Sequence, residues 1–534
     1  MVKPFASRKN NPGQCDMPHT RWSARFLLVG FVLTFIAQGY CDAAKKNKDR
    51  KFPTLDQVLQ PEQAKEDLAI LRKALEEGHP GLYLFTPEDD FDKKFEQTHQ
   101  SFDRPMSLRE FYLEVAPLVE KVYCGHTYFD LPPKLLKSLR QEPPLFPLPL
   151  AFRNARTYLD HTNTEIPLGA EITAIDGMPM NQVLAKLLPY IRSDGYNVTL
   201  KYRQMEDEFA LHYFLFFGRK ERFQVEYVPF GSEKKMIKEI QAVAAKKLEA
   251  TLIDRHSGLG KLKKYKLGMI ERGIQLFSMN SFDFGLNKKG RQKYRSFLQE
   301  NFAAIEESSG TDCIILDLRQ NDGGYVGNDS QLFSYFAQDT FRDVALAEVK
   351  SLKIGVKEHL ARDQFPKMLE RLLAKEFKPS ADGRLLMIDE KNRRWKPNKK
   401  AFDGHVFALI SGWTHSGGAV FCSYLMNNDN VTYIGEETGG GHATFTAGNM
   451  VLYDLPNSRC QLEIPLILYE NYRGEKTFPK GSGIRPDHLV TQSQKDLINN
   501  FDTVMKFALQ LAQEKRRGGN HQEENQFRPL AIPP

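Results

Sequence analysis

The spacing of hydrophobic residues predicts a helical N-terminal region. Apolar side chains recur with the period of an amphipathic helix over three stretches: residues 55–77, 88–102 and 107–122. The third stretch opens with Ser107 and Glu110, whose spacing is that of a capping box at a helix start. We therefore expect residues 45–150 to form a small helical domain.

The pattern changes to short, β-like runs after residue 150, which predicts a compact module over residues 151–232. Its predicted elements are a strand ending at the turn Asp176-Gly177, a helix from Met180 to about Tyr190, and strand-like segments at residues 197–202 and 222–227. The charged stretch Glu233–Glu249 that follows is typical of an exposed connecting helix.

The next part of the chain, residues 233–500, alternates buried strands with helices. Its first elements are a strand at 273–278, a helix at 289–307 and a strand at 313–318. This order indicates a crossover unit and a parallel sheet. A further apolar, β-branched run, Val406–Ile410, precedes a helix-like segment. We therefore predict an α/β core followed by a last helix at about residues 493–515. Residues 501–534 contain the end of this helix and a polar tail that we expect to be disordered.

Composition is that of an ordinary soluble protein. The 534 residues are 41% hydrophobic and 26% charged, which suffices for a real core. The net charge of +7 is small for this length, and we find no basic face with interleaved aromatics of the kind that binds nucleic acid. The cysteines beyond the leader form no Cys-x-x-Cys pair, which argues against a zinc site and a dense disulfide scaffold. We expect no metal and no other cofactor.

The first residues, 1–44, have the pattern of a secretory leader. Arg21 and Arg25 precede the apolar run Phe26–Ala37, and small residues at Ala37 and Gly39 suit cleavage. The run is short for a membrane span. We therefore expect an exported protein that is periplasmic, cell-envelope-associated or secreted. The alternative is an uncleaved or lipidated leader, which would be its contact with a membrane.

Ser416 is the first candidate for chemistry. It follows a predicted strand and precedes a predicted helix, so it should be exposed at the edge of a sheet. The free N–H groups and positive dipole at a helix N-terminus favour an oxyanion there. The alternative is that Ser416 serves only as a helix N-cap.

Two further segments can also be interpreted as either catalytic or purely structural. Gly323 and Gly324 follow a predicted strand, where paired glycines can direct main-chain N–H groups at a developing negative charge or simply form a tight turn. No Gly-Lys-Ser/Thr sequence follows them, so they are not a phosphate loop. His126 lies where a helical pattern gives way to a β-like one, and it is either a positioned base or a structural histidine.

These segments together resemble the C-terminal processing (tail-specific) and tricorn-like serine peptidases. The resemblance rests on DLRQNDGG at 317–324, THSGGA at 414–419, IGEETGGG at 434–441, GIRPD at 483–487, and GHTYF at 125–129. The segment 166–180 is similar to the family's PDZ-like module. The resemblance implies an α/β fold with a crotonase-like (ββα spiral) core, a PDZ-like module and an N-terminal helical domain. It also implies an exported serine endopeptidase that hydrolyses extended or C-terminal polypeptide segments through an acyl-enzyme.

Two branches of the family activate the serine differently. One uses a lysine in a T-x-G-K-G segment, but the corresponding residues here, Thr438–Gly441, contain none. The tricorn-like branch uses an N-terminal histidine, whose position His126 matches. The resemblance therefore implies the following roles: nucleophile Ser416, base His126, and oxyanion donors Gly417 with Gly323 or Gly324.

Three positions depart from the pattern of the tricorn-like branch. His415 replaces a residue that is usually apolar, which makes it a rival base, and Gly125 replaces a supporting serine. The usual glutamate before the last motif is absent, so Glu475 is the nearest upstream acid. An alternative function is therefore a weakly active or inactive protein of the same fold that binds a peptide or apolar ligand. The expected partner is a polypeptide, and the sequence leaves oligomerisation open.

Overall fold

The computed structural model describes residues 53–162, 164–255, 262–284, 288–307, 310–325 and 327–517. The predicted leader and the polar tail after residue 517 lie outside these residues. The described chain is a mixed α/β protein. None of its described helices is long and apolar enough to cross a membrane.

The α-helices are numbered here in chain order. They are α1 Pro61–Gly78, α2 Glu88–Ser101, α3 Leu108–Glu120, α4 Pro133–Leu139, α5 Met180–Leu187, α6 Thr199–Phe217, α7 Ala245–Arg255, α8 Lys288–Glu307, α9 Asn328–Phe333, α10 Pro366–Glu376, α11 Gly417–Leu425, α12 Gln494–Ile498 and α13 Thr503–Arg517.

The strands are numbered in the same way. They are β1 Val58–Leu59, β2 Met106–Ser107, β3 Tyr128–Asp130, β4 Pro144–Leu145, β5 Leu150–Arg153, β6 Arg156–Leu159, β7 Glu171–Ile175, β8 Met178–Pro179, β9 Arg222–Val228, β10 Met236–Gln241, β11 Val243–Ala244, β12 Tyr265–Glu271, β13 Ile274–Met279, β14 Cys313–Asp317, β15 Phe341–Arg342, β16 Leu346–Val349, β17 Phe377–Pro379, β18 Leu385–Met387, β19 Arg394–Trp395, β20 His405–Ile410, β21 Val431–Gly435, β22 Thr444–Ala447, β23 Val451–Asp454, β24 Gln461–Ile464, β25 Ile467–Glu470 and β26 His488–Leu489.

The three predicted N-terminal helices are confirmed as α1, α2 and α3. The predicted capping box is also present, because the Ser107 hydroxyl accepts from the Glu110 N–H and the Glu110 carboxylate accepts from the Ser107 N–H. The apolar faces of these helices share one buried cluster with strands β23, β24 and β25 from the other end of the chain. The N-terminal region is therefore packed directly against the C-terminal part of the molecule.

The strand that follows His126 fastens this region to the C-terminal part. Strand β3 pairs antiparallel with β24, so that Phe129 lies opposite Leu462 and Tyr128 opposite Glu463. Strand β24 also pairs with β23. Backbone hydrogen bonds therefore fix the histidine-bearing segment against residues more than three hundred positions away.

The region 151–232 contains a mixed set of short strands and two helices. Its sheet has the order β10-β9-β7-β6-β5, and β8 pairs with β7. The predicted strand at 197–202 is wrong, because these residues lead into the long helix α6. Its local run of Val198, Thr199 and Tyr202 favours a strand, but α6 packs its apolar residues into the core of this region, and tertiary packing overrides that local preference.

The predicted connecting helix at 233–249 is also wrong in its first half. Residues Met236–Gln241 form strand β10, which pairs with all of β9 up to Tyr227, and the helix α7 starts at Ala245. The high charge of this stretch reflects an exposed edge strand, where lysine and glutamate side chains face solvent.

The predicted parallel sheet is confirmed. Its order is β12-β13-β14-β20-β21-β26, and all pairs from β13 to β26 are parallel, with α8 crossing between β13 and β14. Alternate residues of β14 and β20 face two separate clusters. One contains α8 and α11, and the other contains α13. Helices cover both faces of this sheet, so the loops that follow β14 and β20 meet at its carboxyl edge, where α/β folds place their sites.

Candidate active site

Ser416 lies just beyond the carboxyl end of β20, at the start of α11. Its backbone has φ 50° and ψ −129°, a conformation that non-glycine residues seldom adopt. It occupies the N-cap position, but its side chain makes no capping hydrogen bond. The N-cap interpretation therefore does not account for this serine. Its hydroxyl is turned toward another segment of the chain.

The partner of the Ser416 hydroxyl is His126. The His126 Nε2 lies 3.1 Å from the Ser416 Oγ, although the two residues are 290 positions apart. The position of the ring follows from the pairing of β3 with β24, which starts two residues after His126. Burial, followed by the neighbouring His415, lowers the pKa of His126 to about 4. The imidazole is therefore neutral at neutral pH, as a proton acceptor must be.

His415 faces away from the serine that follows it. Its Nε2 lies 3.0 Å from the Asp194 Oδ2, and its ring stacks on that of His126 at a centroid distance of 4.9 Å. Both His415 and Asp194 are buried. His415 is thus less well placed than His126 to act as the base, because the Asp194 carboxylate already occupies its Nε2.

Asp194 is a site residue that sequence analysis missed. It follows Ser193 in the loop between α5 and α6, and its Oδ1 accepts a 2.6 Å hydrogen bond from the Gly125 N–H. Burial acts to raise its pKa, but the charges and hydrogen bonds of His415, His126 and Gly125 hold that pKa below its usual range. An Asp-Gly pair in a loop is a common turn signal, so nothing in the local sequence distinguished this aspartate.

The glycine loop after β14 closes the other side of the serine. Gly323 and Gly324 have φ of 99° and 149°, and a Cβ on Gly323 would lie 2.7 Å from the Ser416 Cβ. The Gly323 N–H is already bound to the Asn321 Oδ1 at 2.9 Å. Among the described residues, the N–H groups of Gly324 and Gly417 have no hydrogen-bond acceptor. Of the predicted glycines, these two are the ones with N–H groups available for an oxyanion.

The structure does not bring Glu475 to this site. Glu475 is exposed, and the preceding Gly474 packs against the carbonyl of Met426, just past the C-terminal end of α11. Ser416 lies at the opposite end of that nine-residue helix, roughly 14 Å away along its axis. Glu475 therefore makes no contact with Ser416 or His126 that would give it the supporting role suggested by the sequence.

The segment that carries a lysine in the other branch of the family, here Thr438–Gly441, lies next to Ser416. A Cβ on Gly440 would lie 3.2 Å from the Ser416 N, and the Gly440 N–H donates to the Thr414 carbonyl at 3.2 Å. This segment contains only threonine and glycine between residues 438 and 441. It therefore shapes the turn around Ser416 but cannot supply a base.

Comparison with known proteins identifies the family of this region. Residues 274–490, which include Ser416 and the glycine loop, match the model of peptidase family S41. The chain carries an S41 serine peptidase domain. His126 and Asp194 lie outside the matched residues. No significantly similar sequence is found among curated proteins.

The two CPAF structures share their fold with most of this chain. Mature CPAF complexed with lactacystin is 13% identical, with a TM-score of 0.61, and the match covers 86% of this chain and 98% of that one. Mature CPAF is also 13% identical, with a TM-score of 0.59 and coverage of 86% and 97%. The photosystem II D1 C-terminal processing protease is 11% identical, with a TM-score of 0.38 and coverage of 82% and 96%. The likeness to CPAF shows a common fold that extends well beyond the S41 match.

Proposed function

We propose that this S41 protein is an exported serine endopeptidase in which Ser416 is the nucleophile and His126 the general base. The observation that carries the proposal is the 3.1 Å contact between the Ser416 Oγ and the His126 Nε2. A serine hydroxyl is a weak nucleophile at neutral pH and needs a base within hydrogen-bond reach. The lowered pKa of His126, about 4, keeps that base unprotonated.

The proposed reaction uses these groups in sequence. The Ser416 Oγ attacks the scissile carbonyl carbon while His126 Nε2 takes the hydroxyl proton, and the carbonyl oxygen becomes an oxyanion. The N–H groups of Gly417 and Gly324 are the donors proposed to receive it. His126 then gives the proton to the leaving amine, which frees it and leaves the acyl-enzyme. Water, activated by the same histidine, hydrolyses the ester and restores Ser416.

The proposed substrate is an extended or C-terminal polypeptide segment. We assign the region from residue 151 to the end of β10 as a PDZ-like module, because its sheet presents short strands to which a peptide strand could be added. This region is joined to the site by hydrogen bonds. The Asn197 Nδ2 donates to the Thr438 carbonyl at 2.8 Å, and the Thr199 Oγ1 donates to the Glu437 carbonyl at 3.0 Å. These bonds join the start of α6 in this region to the loop that passes Ser416.

The proposed domain division follows the sequence boundaries except at the end of the module, because β10 belongs to the sheet of that module. We assign residues 45–150 as the N-terminal helical part with His126, the segment from residue 151 to the end of β10 as the PDZ-like module, and the rest up to residue 500 as a crotonase-like core. The leader pattern in residues 1–44 supports export to the periplasm, the cell envelope or the medium.

A fluorophosphonate probe tests the function directly. Such probes react with activated serines, so the intact protein should be labelled, and peptide mapping should place the label on Ser416. Ser416→Ala is the matched control and should remain unlabelled while folding normally. Hydrolysis of an unstructured polypeptide should disappear in the same variant. Absence of both labelling and hydrolysis in the wild-type protein would contradict the proposal and favour the peptide- or ligand-binding alternative.

A further inference from the structure

The protonation pattern at the site can be deduced from the hydrogen bonds of Asp194. An ionised carboxylate only accepts hydrogen bonds, and Asp194 accepts from the Gly125 N–H through Oδ1 and from the His415 Nε2 through Oδ2. The His415 proton facing Asp194 must therefore be on Nε2. His415 and Gly125 together fix the orientation of the carboxylate, and Asp194 is almost completely buried, at 4% exposure.

The same reasoning applies to His126. If its Nε2 accepts the Ser416 proton, its other nitrogen, Nδ1, must carry the ring proton. The His126 Nδ1 is buried and has no hydrogen-bond partner among the described residues. A carboxylate oxygen of Asp194 lies within 4.8 Å of a ring nitrogen of His126. Asp194 is therefore the acid placed where a positively charged His126 would be stabilised.

The charged groups around His126 have opposite effects on its protonation. His415, which stacks on it, and Arg192, from the loop that carries Asp194, both oppose a positive charge on His126. Asp194 favours that charge. The Thr446 carbonyl on β22 favours it too, although its geometry is not that of a formed hydrogen bond. Glu475 is exposed and is not among the groups that shift the pKa of His126.

The backbone around this group is built for the Asp194–His415 pair. A Cβ on Gly125 would lie 2.5 Å from the His415 Nε2 and 2.8 Å from the Asp194 Oδ1, so a side chain here would displace both. The Gly195 N–H donates to the Tyr123 carbonyl at 2.9 Å, which ties the Asp194 loop to the turn before His126. Gly125 and His415 therefore depend on each other. Because Gly125 has no side chain, the imidazole of His415 has room to reach Asp194.

From this geometry we infer that Asp194 is the supporting carboxylate of the Ser416–His126 pair and that His415 holds it in place. The inference rests on the proposed function. Asp194 is a positioning residue: it touches neither substrate nor the reacting atoms, and it keeps its charge throughout. When His126 takes the proton of Ser416, the negative charge of Asp194 stabilises the imidazolium. No proton moves to Asp194.

Asp194→Asn is the variant that tests the inference. It keeps the shape and an acceptor oxygen but removes the charge. We expect kcat to fall by roughly 10²-fold with little change in KM, which is less than the 10⁴-fold loss for an aspartate bonded directly to the base in a serine peptidase triad. The pKa of His126, measured by 15N NMR titration of its ring, should fall, because the group that favours its charge is gone. The acid limb of the kcat/KM–pH profile should move to lower pH with it.

His415→Gln gives the opposite shift and keeps the test valid if Asp194→Asn folds poorly. The glutamine amide can still donate to the Asp194 carboxylate, but the imidazole that opposes a positive charge on His126 is gone, so the pKa of His126 should rise and kcat should fall less than in Asp194→Asn. Asp67→Asn is the matched control. Asp67 is a fully buried aspartate that accepts backbone N–H bonds from Ser458 at 2.7 Å and Asn457 at 3.1 Å, and no histidine is among the groups that shift its pKa. It should lower thermal stability without moving the pH profile.

The NMR and kinetic readouts separate failure of this inference from failure of the proposed function. A folded Asp194→Asn protein with unchanged His126 pKa and unchanged kcat would overturn the inference. An unlabelled, inactive wild-type protein would overturn the proposed function, while the His126 titration would still show whether Asp194 acts on that imidazole. A downward shift in the His126 pKa that Asp67→Asn does not reproduce supports the inference.

Discussion

At the scale of single residues, the site is defined by four side chains that meet from three parts of the chain. Ser416 and His415 come from one turn, His126 from the segment before β3, and Asp194 from the loop before α6. Their effects are coupled because each ionisable group lies within a few ångströms of the next in a buried, poorly screened environment. Predictions at this scale concern protonation and the reaction of Ser416.

The first prediction is the pH dependence of peptide hydrolysis. A base works in its deprotonated form, so activity should be lost as pH falls through the pKa of His126. The sequence alone suggests the ordinary histidine value of about 6.5, but burial beside His415 lowers it to about 4. The acid limb of kcat/KM should therefore lie near pH 4. A limb near 6.5, measured with a stable protein, would show that His126 is more exposed to solvent than in this structure.

The second prediction is that Ser416 and His126 act as one unit. Ser416→Ala and His126→Ala should each lower kcat by roughly 10⁴-fold or more, and the double variant should be scarcely worse than either, because the serine reacts only when the base removes its proton. His415→Gln should retain a substantial rate. If His126→Ala kept near-normal kcat while His415→Gln abolished it, the base would be His415.

At the scale of elements, the carboxyl edge of the parallel sheet decides how the glycine loop meets the serine turn. Strands β14 and β20 pair in parallel from Cys313 and His405 onward, so the loops that follow them leave at the same edge. The Asn321 side chain shapes the first loop, accepting from the Gly323 N–H and donating to the Met279 carbonyl at 3.0 Å. The conformation of the loop is therefore set by one buried amide.

Substitution of Gly324 itself does not give a clean test of the oxyanion donors. A Cβ there would overlap the backbone of Phe282, and the φ of 149° disfavours any side chain. Loss of activity in Gly324→Ala would thus combine strain in the loop with displacement of the donor. The neighbouring Asn321 offers a better site for substitution.

The third prediction concerns Asn321→Ala. Without its side chain the Gly323 N–H loses its acceptor and the loop can shift the Gly324 N–H, so kcat should fall, up to the roughly 10²–10³-fold cost of a lost oxyanion donor. Stability should fall by about 1–3 kcal/mol because buried partners are left unsatisfied. Asn428→Ala is the control, since Asn428 is also buried and donates to the Phe336 carbonyl at 2.7 Å, near the far end of α11. Kinetics and thermal unfolding should show similar destabilisation of both variants but a kcat loss only in Asn321→Ala; equal kcat losses would exclude a specific role for the loop.

At the scale of the whole molecule, the proposed site joins the S41 domain to the N-terminal half of the chain. The S41 match covers residues 274–490, whereas the proposed base and its supporting carboxylate lie at positions 126 and 194. The pairing of β3 with β24 and the shared apolar cluster join these parts. The proposed catalytic unit therefore spans both halves of the described chain.

The fourth prediction concerns export. If residues 26–37 form the apolar core of a cleaved leader, N-terminal sequencing of the exported protein should begin between about residues 40 and 45. A matched variant with Val29→Asp and Leu33→Asp interrupts that core and should stay unprocessed inside the cell. An exported protein with an intact N-terminus would show instead that the segment is an anchor.

Much of the local structure could be predicted from the sequence. The helices α1–α3, the capping box at Ser107 and the crossover from β13 through α8 to β14 were all predicted, because each depends on residues only a few positions apart. The errors at 197–202 and 233–249 arose where short runs were judged without their packing partners. A run such as Val198 to Tyr202 favours a strand in isolation but belongs to a helix whose apolar residues are buried in the adjoining core.

The sequence by itself determined that Ser416 lies at a turn between a strand and a helix, that the glycine loop follows β14, and that the segment Thr438–Gly441 contains no lysine. Only the tertiary structure decided which groups meet there. It brings His126 into hydrogen-bond contact with Ser416, 290 positions away, and His415 into contact with Asp194, 221 positions away. It leaves Glu475 distant from Ser416. It also leaves the N–H of Gly324 available, whereas that of Gly323 is bound to Asn321. The physical reason is that periodicity and turn preferences act between near neighbours, whereas these contacts depend on strand pairing and packing between distant segments.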